Sequence, residues 1–281
     1  MSRKFPVILT LLLVSVGVFV FIIVSQQKTA YQSFHGSIFG TSYQVQYRAH
    51  EQLNLDAEAI KAEVEKNLGR IDRIASTWKA DSEISRYNRA VLKDELQLSP
   101  ELREIIKHAE EIKARTGGAF DIHHSGKGID VSAIAKGYAV DRIADYLYHE
   151  LKIADCLVEI GGEVKARGNN AKGKLWKVAI YIPPSHSHIK GPRVTLSNTS
   201  MATSGQYFKE GHIRNAATGN VPEHDLLSCT VIAPSNTDAD ALATALYVMG
   251  CEAGLAWANQ NEVEAIFINN DGTVIESMEP R

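Results

Sequence analysis

The longest apolar stretch of the chain lies at its beginning. No charged residue occurs between Phe5 and Val24, and Arg3 and Lys4 directly precede this run. An apolar run of this length can cross a bilayer as a helix, and basic residues in front of it favour a cytoplasmic N-terminus. We expect residues 5–24 to form a membrane or signal helix in a bacterial inner membrane, with the following domain facing the periplasm.

Four later segments carry apolar residues at helical spacing. Asp56, Ser99 and Ser132 are natural N-caps, because their side chains accept hydrogen bonds from the free amides of a first helical turn. The helices are expected to begin near Asp56, Ser99, Ser132 and Thr237. The last helix, TDADALATALYVMG, combines an apolar body with an acidic start.

Strand-like segments, rich in Val, Ile and Tyr, follow mostly after the third helix. The candidates are residues 37–47, 156–166, 174–182, 193–197, 226–233 and 264–268. Residues 198–205 are hydroxyl-rich and predict a loop or strand edge, and residues 270–272 (NDG) have the composition of a hairpin turn. Helices first and strands mostly later favour an α+β fold.

Length and composition predict one domain behind the apolar run. We expect residues 1–25 to be the anchor or signal segment, residues 26–33 a short tether, and residues 34–281 a domain long enough for its own core. The net charge of −3, without a basic stripe, argues against nucleic acid as a partner. Cys156 and Cys229 lie in apolar strand-like runs, which indicates buried thiols rather than metal ligands.

Asp240 and Thr244 lie four residues apart in the last predicted helix and therefore on one face of it. A carboxylate near a helix start can simply complement the helix dipole. Alternatively, the carboxylate and hydroxyl oxygens point at one cation, since hard cations prefer oxygen ligands. The residues alone leave both interpretations open.

Lys136 falls in the first turn of the helix expected to start near Ser132. A lysine together with free helix amides favours a phosphate site, whereas an exposed lysine is the plain alternative. Gly137 weakens the helix relative to alanine, which indicates either the close approach of a ligand or a tight helix crossing.

Three more features each allow a ligand-binding and a plain structural interpretation. Trp78 follows a helix and could stack on a flavin or a base, although an aromatic residue there usually belongs to the core. The glycine pair at residues 161–162 allows the close approach of a ligand or a simple bend. His212 could act as a base near neutral pH or could be a solvated loop residue.

Eight segments, in order along the chain, resemble motifs of the ApbE-type FAD:protein FMN transferases. They are FGTSY (39–43), STWKADSEISRYN (76–88), GGAFDI (117–122), IDVSAIAKGYAVD (129–141), LVEIGGEVKARG (157–168), ATSG (202–205), HIRNAATG (212–219) and DADALATALYVMG (238–250). The AKGY and DALATAL motifs are the most specific. The resemblance covers nearly the whole chain after the apolar run.

The resemblance implies a reaction and a metal ion. In this family, FAD is split at its pyrophosphate, FMN is joined by a phosphoester to a Thr or Ser hydroxyl of an acceptor flavoprotein, and AMP leaves. Such a transfer requires in-line positioning and a cation that neutralises the pyrophosphate. The resemblance implies that Mg²⁺ is bound by Asp240, Thr244 and the carbonyl of Ala133.

The resemblance also implies which residues contact FAD and which activate the acceptor. The residues expected to contact FAD are Phe39, Trp78, Ala119, Phe120, Asp121, Asp130, Lys136 and Arg214. Among them, Lys136 suits the pyrophosphate and Trp78 a stacked ring. His212 is the candidate for activating the acceptor hydroxyl, with Asp240 as the competing candidate.

Two segments depart from the family pattern. Only HHSGKG, residues 123–128, separates FDI from IDVS, where the family has a sizeable insertion. Residues 215–216 are Asn-Ala where the family has Asp-Pro, and an apolar residue is usual at the position of Arg214. Two alternative functions are therefore an FAD pyrophosphatase that gives FMN and AMP, and a non-enzymatic, membrane-anchored flavin-binding protein.

Overall fold

The computed structural model describes residues 30–49, 56–91, 97–123, 128–207 and 211–277. The expected membrane or signal helix, residues 5–24, lies outside these residues. Among the residues that the structure describes, no helix has the length and hydrophobicity needed to span a bilayer. The tether expected at residues 26–33 is wrong at its C-terminal end, because a strand already begins at Ala30.

Ten strands and six helices make up the described part of the chain. The strands are β1 (Ala30–Ile38), β2 (Thr41–Ala49), β3 (Cys156–Ile160), β4 (Glu163–Arg167), β5 (Trp176–Ala179), β6 (Arg193–Leu196), β7 (Ser200–Gly205), β8 (Leu226–Ala233), β9 (Glu264–Asn269) and β10 (Val274–Glu276). The helices are α1 (Ala57–Ala75), α2 (Glu83–Arg89), α3 (Pro100–Arg115), α4 (Ser132–Asp145), α5 (Asn236–Met249) and α6 (Cys251–Gln260). A π-helical turn, Tyr146–Glu150, continues α4, and Pro184–His186 form a short 3₁₀ turn.

Eight of these strands form one antiparallel sheet in the order β1-β2-β3-β4-β7-β8-β9-β10. The strands β5 and β6 pair with each other as a separate two-stranded sheet. Helices are segregated from strands along most of the chain, as the sequence predicts for a mixed helix-and-sheet fold.

The large sheet has an apolar core on each of its faces. On one face, the helices pack against a core that includes Val45, Val158, Val231 and Phe267. On the other face, Trp176 and Leu196 of the small sheet contribute to a second core with Met201 and Ile268 of the large sheet. The large sheet is therefore the middle layer of three, and α4 and α5 lie on its helical face.

Glycine turns divide two segments that the sequence pattern predicts as single strands. Residues 37–47 contain a turn at Phe39–Gly40, with φ values of 51° and 74°. Residues 156–166 contain a hairpin turn at Gly161–Gly162, with φ values of 60° and 101°. Apolar residues continue on both sides of each turn, so the pattern does not reveal the reversal of the chain. Residues 200–205, predicted as a loop or strand edge, form the inner strand β7.

The helix starts agree with the sequence at two of the three proposed N-caps. Asp56 accepts a hydrogen bond from the amide of Glu58, and Ser99 accepts one from the amide of Leu102. The prediction for Ser132 is wrong, because α4 already includes that residue and Val131 precedes it without a capping side chain.

Candidate functional site

The helices α4 and α5 cross at a close backbone contact. A Cβ atom added to Gly137 would lie 2.4 Å from the carbonyl oxygen of Asn236 and 2.8 Å from Cβ of Asp240. The carbonyl oxygen and the Cβ atom are both fixed by the backbone of the neighbouring helix, so neither can move aside by a change of side-chain rotamer. Of the two interpretations of Gly137, the structure therefore supports the tight helix crossing.

Asp240 is buried at this crossing, with 3% of its surface exposed. Its Oδ2 atom accepts a hydrogen bond of 3.0 Å from the backbone amide of Gly137. The carboxylate therefore bonds to the other helix instead of capping its own. Ser235 caps α5, since its Oγ atom accepts from the amide of Asp238 at 3.3 Å. Asp240 is therefore not the cap of its own helix.

The first turn of α4 is irregular where the sequence resemblance expects a metal ligand. Ala133 has φ −87° and ψ 15°, outside the helical region. In a regular helix, the amide of Gly137 would donate to the carbonyl of Ala133. Here that amide donates to Asp240. The Ala133 carbonyl therefore lies in a distorted first turn, next to an amide that has a partner on the other helix.

Thr244 lies one turn after Asp240, and its Oγ1 atom is 2.9 Å from Oγ of Ser204 on β7. Within the described part of the chain, no three His, Cys, Asp or Glu side chains come together as ligands for one metal ion. A cation site here would combine one carboxylate with a hydroxyl, a backbone carbonyl and water. This donor set fits Mg²⁺, which prefers oxygen ligands and retains several waters.

Lys136 joins Asp240 to a second carboxylate, that of Glu163 on β4. Its Nζ atom donates to Oε1 of Glu163 and lies 3.8 Å from Oδ1 of Asp240. Burial by itself would lower the pKa of the Lys136 ammonium, but the carboxylates of Asp240 and Glu163 raise it above its ordinary value. Lys136 is therefore a fixed positive charge beside the carboxylate of the proposed cation site.

Glu163 is the site residue that the sequence reasoning missed. It is 2% exposed, and its Oε2 atom is buried without a hydrogen-bond partner. Burial, together with the charge of Asp240, raises the pKa of its carboxyl to about 8 despite the nearby Lys136. Two features of the sequence point to Glu163. It directly follows the glycine pair, and it begins a strand in which alternate residues, Glu163, Lys165 and Arg167, are charged.

The turn that contains Phe39 lies at the same end of the sheet. The amide of Gly161 donates to the carbonyl of Ser42 at 3.0 Å, so the β1–β2 and β3–β4 turns are neighbours. Phe39 is half-buried and packs partly against the core on the helical face. Burial, and then the charge of Glu163, raise the pKa of the hydroxyl of Tyr207, which follows β7, to about 12.

Other sequence-predicted residues lie on elements around this cluster. Trp78 follows α1 and is 82% exposed, so its interpretation as a core residue is wrong. Phe120 is buried after α3, and Ala119 is half-buried beside it. His212 and Arg214 are exposed in the β7–β8 loop, where Nη1 of Arg214 donates to the carbonyl of Gly219 at 3.0 Å.

The two remaining acidic candidates, Asp121 and Asp130, interact with residues that are near them in the sequence. Asp121 lies 2.8 Å from Nζ of Lys113, which lowers the pKa of Asp121 although partial burial acts in the opposite direction. Asp130 accepts a hydrogen bond of 2.9 Å from the amide of Ser132 and another from its hydroxyl. Asp130 thus orders the turn that leads into α4.

The family description "ApbE family" matches residues 39–126 and 123–267 of the chain. The FAD:protein FMN transferase of Haemophilus influenzae is 29% identical over 90% of this chain and 91% of that protein. The fold is similar to that of the flavin transferase ApbE from Vibrio cholerae, with a TM-score of 0.80 and 26% identity over 89% of this chain and 97% of that chain. The flavinyl transferase ApbE of Pseudomonas stutzeri also gives a TM-score of 0.80, with 29% identity over 89% of this chain and 95% of that chain.

Proposed function

The chain belongs to the ApbE family and is an FAD:protein FMN transferase, and we propose a specific form of this transfer. The acceptor is a Thr or Ser hydroxyl of a flavoprotein, the cation is Mg²⁺, and the second product is AMP. The acceptor oxygen forms a bond to the phosphorus of the FMN half of FAD. The bond between that phosphorus and the bridging oxygen breaks, AMP leaves with the bridging oxygen, and the hydroxyl proton passes to a base.

The observation that carries this proposal is the buried Asp240 beside Lys136 and Thr244. The carboxylate, the Thr244 hydroxyl and the Ala133 carbonyl would hold the cation. When bound, Mg²⁺ neutralises charge on the pyrophosphate. The ammonium of Lys136 lies 3.8 Å from the same carboxylate, where it can pair with a pyrophosphate oxygen. Such preorganised charges in a partly buried site stabilise developing negative charge well.

The rest of the flavin site is proposed on the elements around this cluster. Trp78 presents an exposed ring after α1 that can stack on FAD, and Phe39 lies in the turn next to the Gly161 turn. The remaining proposed FAD contacts are Ala119, Phe120, Asp121, Asp130 and Arg214. His212, exposed on the β7–β8 loop, is our candidate base for the acceptor hydroxyl, and Asp240 is the competing candidate.

We propose that residues 5–24 hold the chain in a bacterial inner membrane with its domain in the periplasm. The basis is the uncharged run preceded by Arg3 and Lys4. Protease added to spheroplasts should then digest the domain, whereas protection of the domain until the cells are lysed would contradict this orientation.

The test of the transfer uses the purified chain with FAD, Mg²⁺ and an acceptor flavoprotein that carries an exposed Thr. Flavin fluorescence on a denaturing gel reports labelled acceptor, and chromatography reports AMP, each with and without EDTA. We expect labelled acceptor and AMP in equal amounts, both lost with EDTA. AMP and free FMN without labelled acceptor would indicate the pyrophosphatase, and bound FAD without AMP would indicate a flavin-binding protein.

A further inference from the structure

Asp141 is a buried carboxylate on α4 that the proposed reaction does not use. It is 9% exposed and accepts five hydrogen bonds. Four come from the start of α5: the hydroxyls of Ser235 and Thr237 at 2.8 and 2.7 Å, and the amides of Asn236 and Thr237 at 3.0 and 2.8 Å. Asp141 therefore supplies the negative charge and the acceptors that the free amides of a helix N-terminus favour.

The fifth hydrogen bond of Asp141 connects this contact to the sheet. Nζ of Lys165 on β4 donates to Oδ1 of Asp141 at 2.6 Å and to the carbonyl of Pro234, just before α5, at 3.2 Å. Lys165 and the helix amides lower the pKa of the Asp141 carboxyl, although burial acts in the opposite direction. The side-chain amide of Asn236 also donates to carbonyls of β4 and β7, at 2.7 and 3.1 Å.

The contact at Asp141 is one of two that relate α4 to α5. Gly137 and Asp141 are four residues apart on α4 and share a face. Gly137 contacts Asp240, and Asp141 contacts the helix start one turn before Asp240. Two contacts, one turn apart on each helix, fix both the rotation and the axial position of α5 against α4.

We infer that Asp141 is a positioning residue for the proposed cation site. The ligands of that site come from both helices, the Ala133 carbonyl from α4 and the Asp240 and Thr244 side chains from α5. Their relative placement depends on where α5 starts against α4, and Asp141 sets that start. The inference rests on the proposed function, because it concerns the same cation site.

The strand β4 and helix α4 also provide a matched control. Asp145, one turn after Asp141, pairs with Arg167 of β4, and its Oδ1 atom accepts from Nη2 at 2.5 Å. This ion pair joins the same strand to the same helix as the Lys165–Asp141 pair. The change Asp145→Asn therefore weakens the same packing by the same chemical substitution, at a position one turn farther from the helix crossing.

The experiment measures Mn²⁺ binding to the full chain by the loss of the free-ion electron paramagnetic resonance signal, with FAD present. Mn²⁺ favours the same oxygen ligands as Mg²⁺. Mutation of a residue that supports the ligands of a metal site typically lowers metal affinity by about 10- to 100-fold. We expect Asp141→Asn to weaken Mn²⁺ binding by about tenfold or more, and Asp145→Asn to change it by less than about twofold. Equal binding by wild type and folded Asp141→Asn would overturn the inference, and absence of binding by the wild type would instead contradict the proposed function.

A milder pair of variants covers the case in which Asp141→Asn does not fold. Thr237→Val keeps the shape of the side chain but removes one hydroxyl donor to Asp141, and Thr237→Ser keeps that donor. We expect Thr237→Val to bind Mn²⁺ measurably more weakly than the wild type, and Thr237→Ser to bind it as the wild type does. Unchanged Mn²⁺ binding in Thr237→Val, at a lowered free energy of unfolding, would show that the contact is only structural and would overturn the inference.

Discussion

Replacing Gly137 by alanine tests the helix crossing on which the site is built. The added Cβ would lie 2.4 Å from the carbonyl oxygen of Asn236 and 2.8 Å from Cβ of Asp240. To reach ordinary contact distance, α4 and α5 must separate locally by about 1 Å, because the nearest opposing atom, the carbonyl oxygen of Asn236, belongs to a buried helix backbone. The hydrogen bond from the Gly137 amide to Asp240 would lengthen with this separation.

The expected loss of stability follows from three contributions. Overpacking typically costs about 1–3 kcal/mol, and a weakened hydrogen bond to a buried carboxylate costs about 1.5–3 kcal/mol. The higher helix propensity of alanine returns at most about 1 kcal/mol. We expect Gly137→Ala to lower the free energy of unfolding by about 1.5–5 kcal/mol. In urea, this would lower the unfolding midpoint by on the order of 1 M.

Gly69 provides the matched control in α1. A Cβ added there would meet only the end of the flexible Arg73 side chain, at 3.6 Å. Gly69→Ala should therefore raise the free energy of unfolding by about 0.5–1 kcal/mol, the opposite sign to Gly137→Ala. Urea unfolding followed by circular dichroism measures both. A midpoint for Gly137→Ala at or above that of the wild type would refute the close crossing.

Three further changes test other parts of the account. Trp78→Ala should weaken FAD binding about tenfold in a flavin fluorescence titration. It should leave the urea midpoint nearly unchanged, because the ring is 82% exposed, and a large loss of stability would contradict that exposure. Thr244→Val should weaken Mg²⁺-dependent transfer, and an unchanged Mg²⁺ requirement would exclude Thr244 as a ligand. The same change should lower the free energy of unfolding in urea by about 1 kcal/mol, since Ser204 loses its hydrogen-bond partner at 2.9 Å. The hydrogen bond from His108 to Asp238 raises the pKa of His108 above 6.5. The pair therefore stabilises the fold fully below pH 6.5, and this stabilisation is lost as the pH rises through the raised pKa. His108→Gln should lower the free energy of unfolding more at pH 6 than at pH 9, and equal losses would contradict the ion pair.

Local patterns predicted the helices and one face of the site. Asp240 and Thr244 are close in sequence on one helix, so their shared face follows from helical periodicity alone. The partners of Asp240 could not be predicted in this way. Gly137 comes from a helix about a hundred residues earlier, and the geometry of its contact depends on the packing of α4 against α5.

The missed features have the same physical origin. Glu163 and Asp141 are charged residues whose burial depends on the packing of β4 against α4, and no spacing within either segment reveals that pairing. The two glycine turns were missed because apolar residues continue on both sides of them. An aromatic residue at a helix end usually belongs to the core, yet Trp78 is exposed because the chain leaves the core at the end of α1.

The most direct test of the account is FMN transfer by the wild type and by Asp240→Asn over a range of Mg²⁺ concentrations. The asparagine oxygen can still accept from the Gly137 amide, so the fold should persist while the charge beside Lys136 is lost. We predict that Asp240→Asn lowers the rate of acceptor labelling by on the order of a hundredfold and raises the Mg²⁺ concentration required. Wild-type labelling by Asp240→Asn, with an unchanged Mg²⁺ dependence, would contradict the assignment of this carboxylate to the cation site.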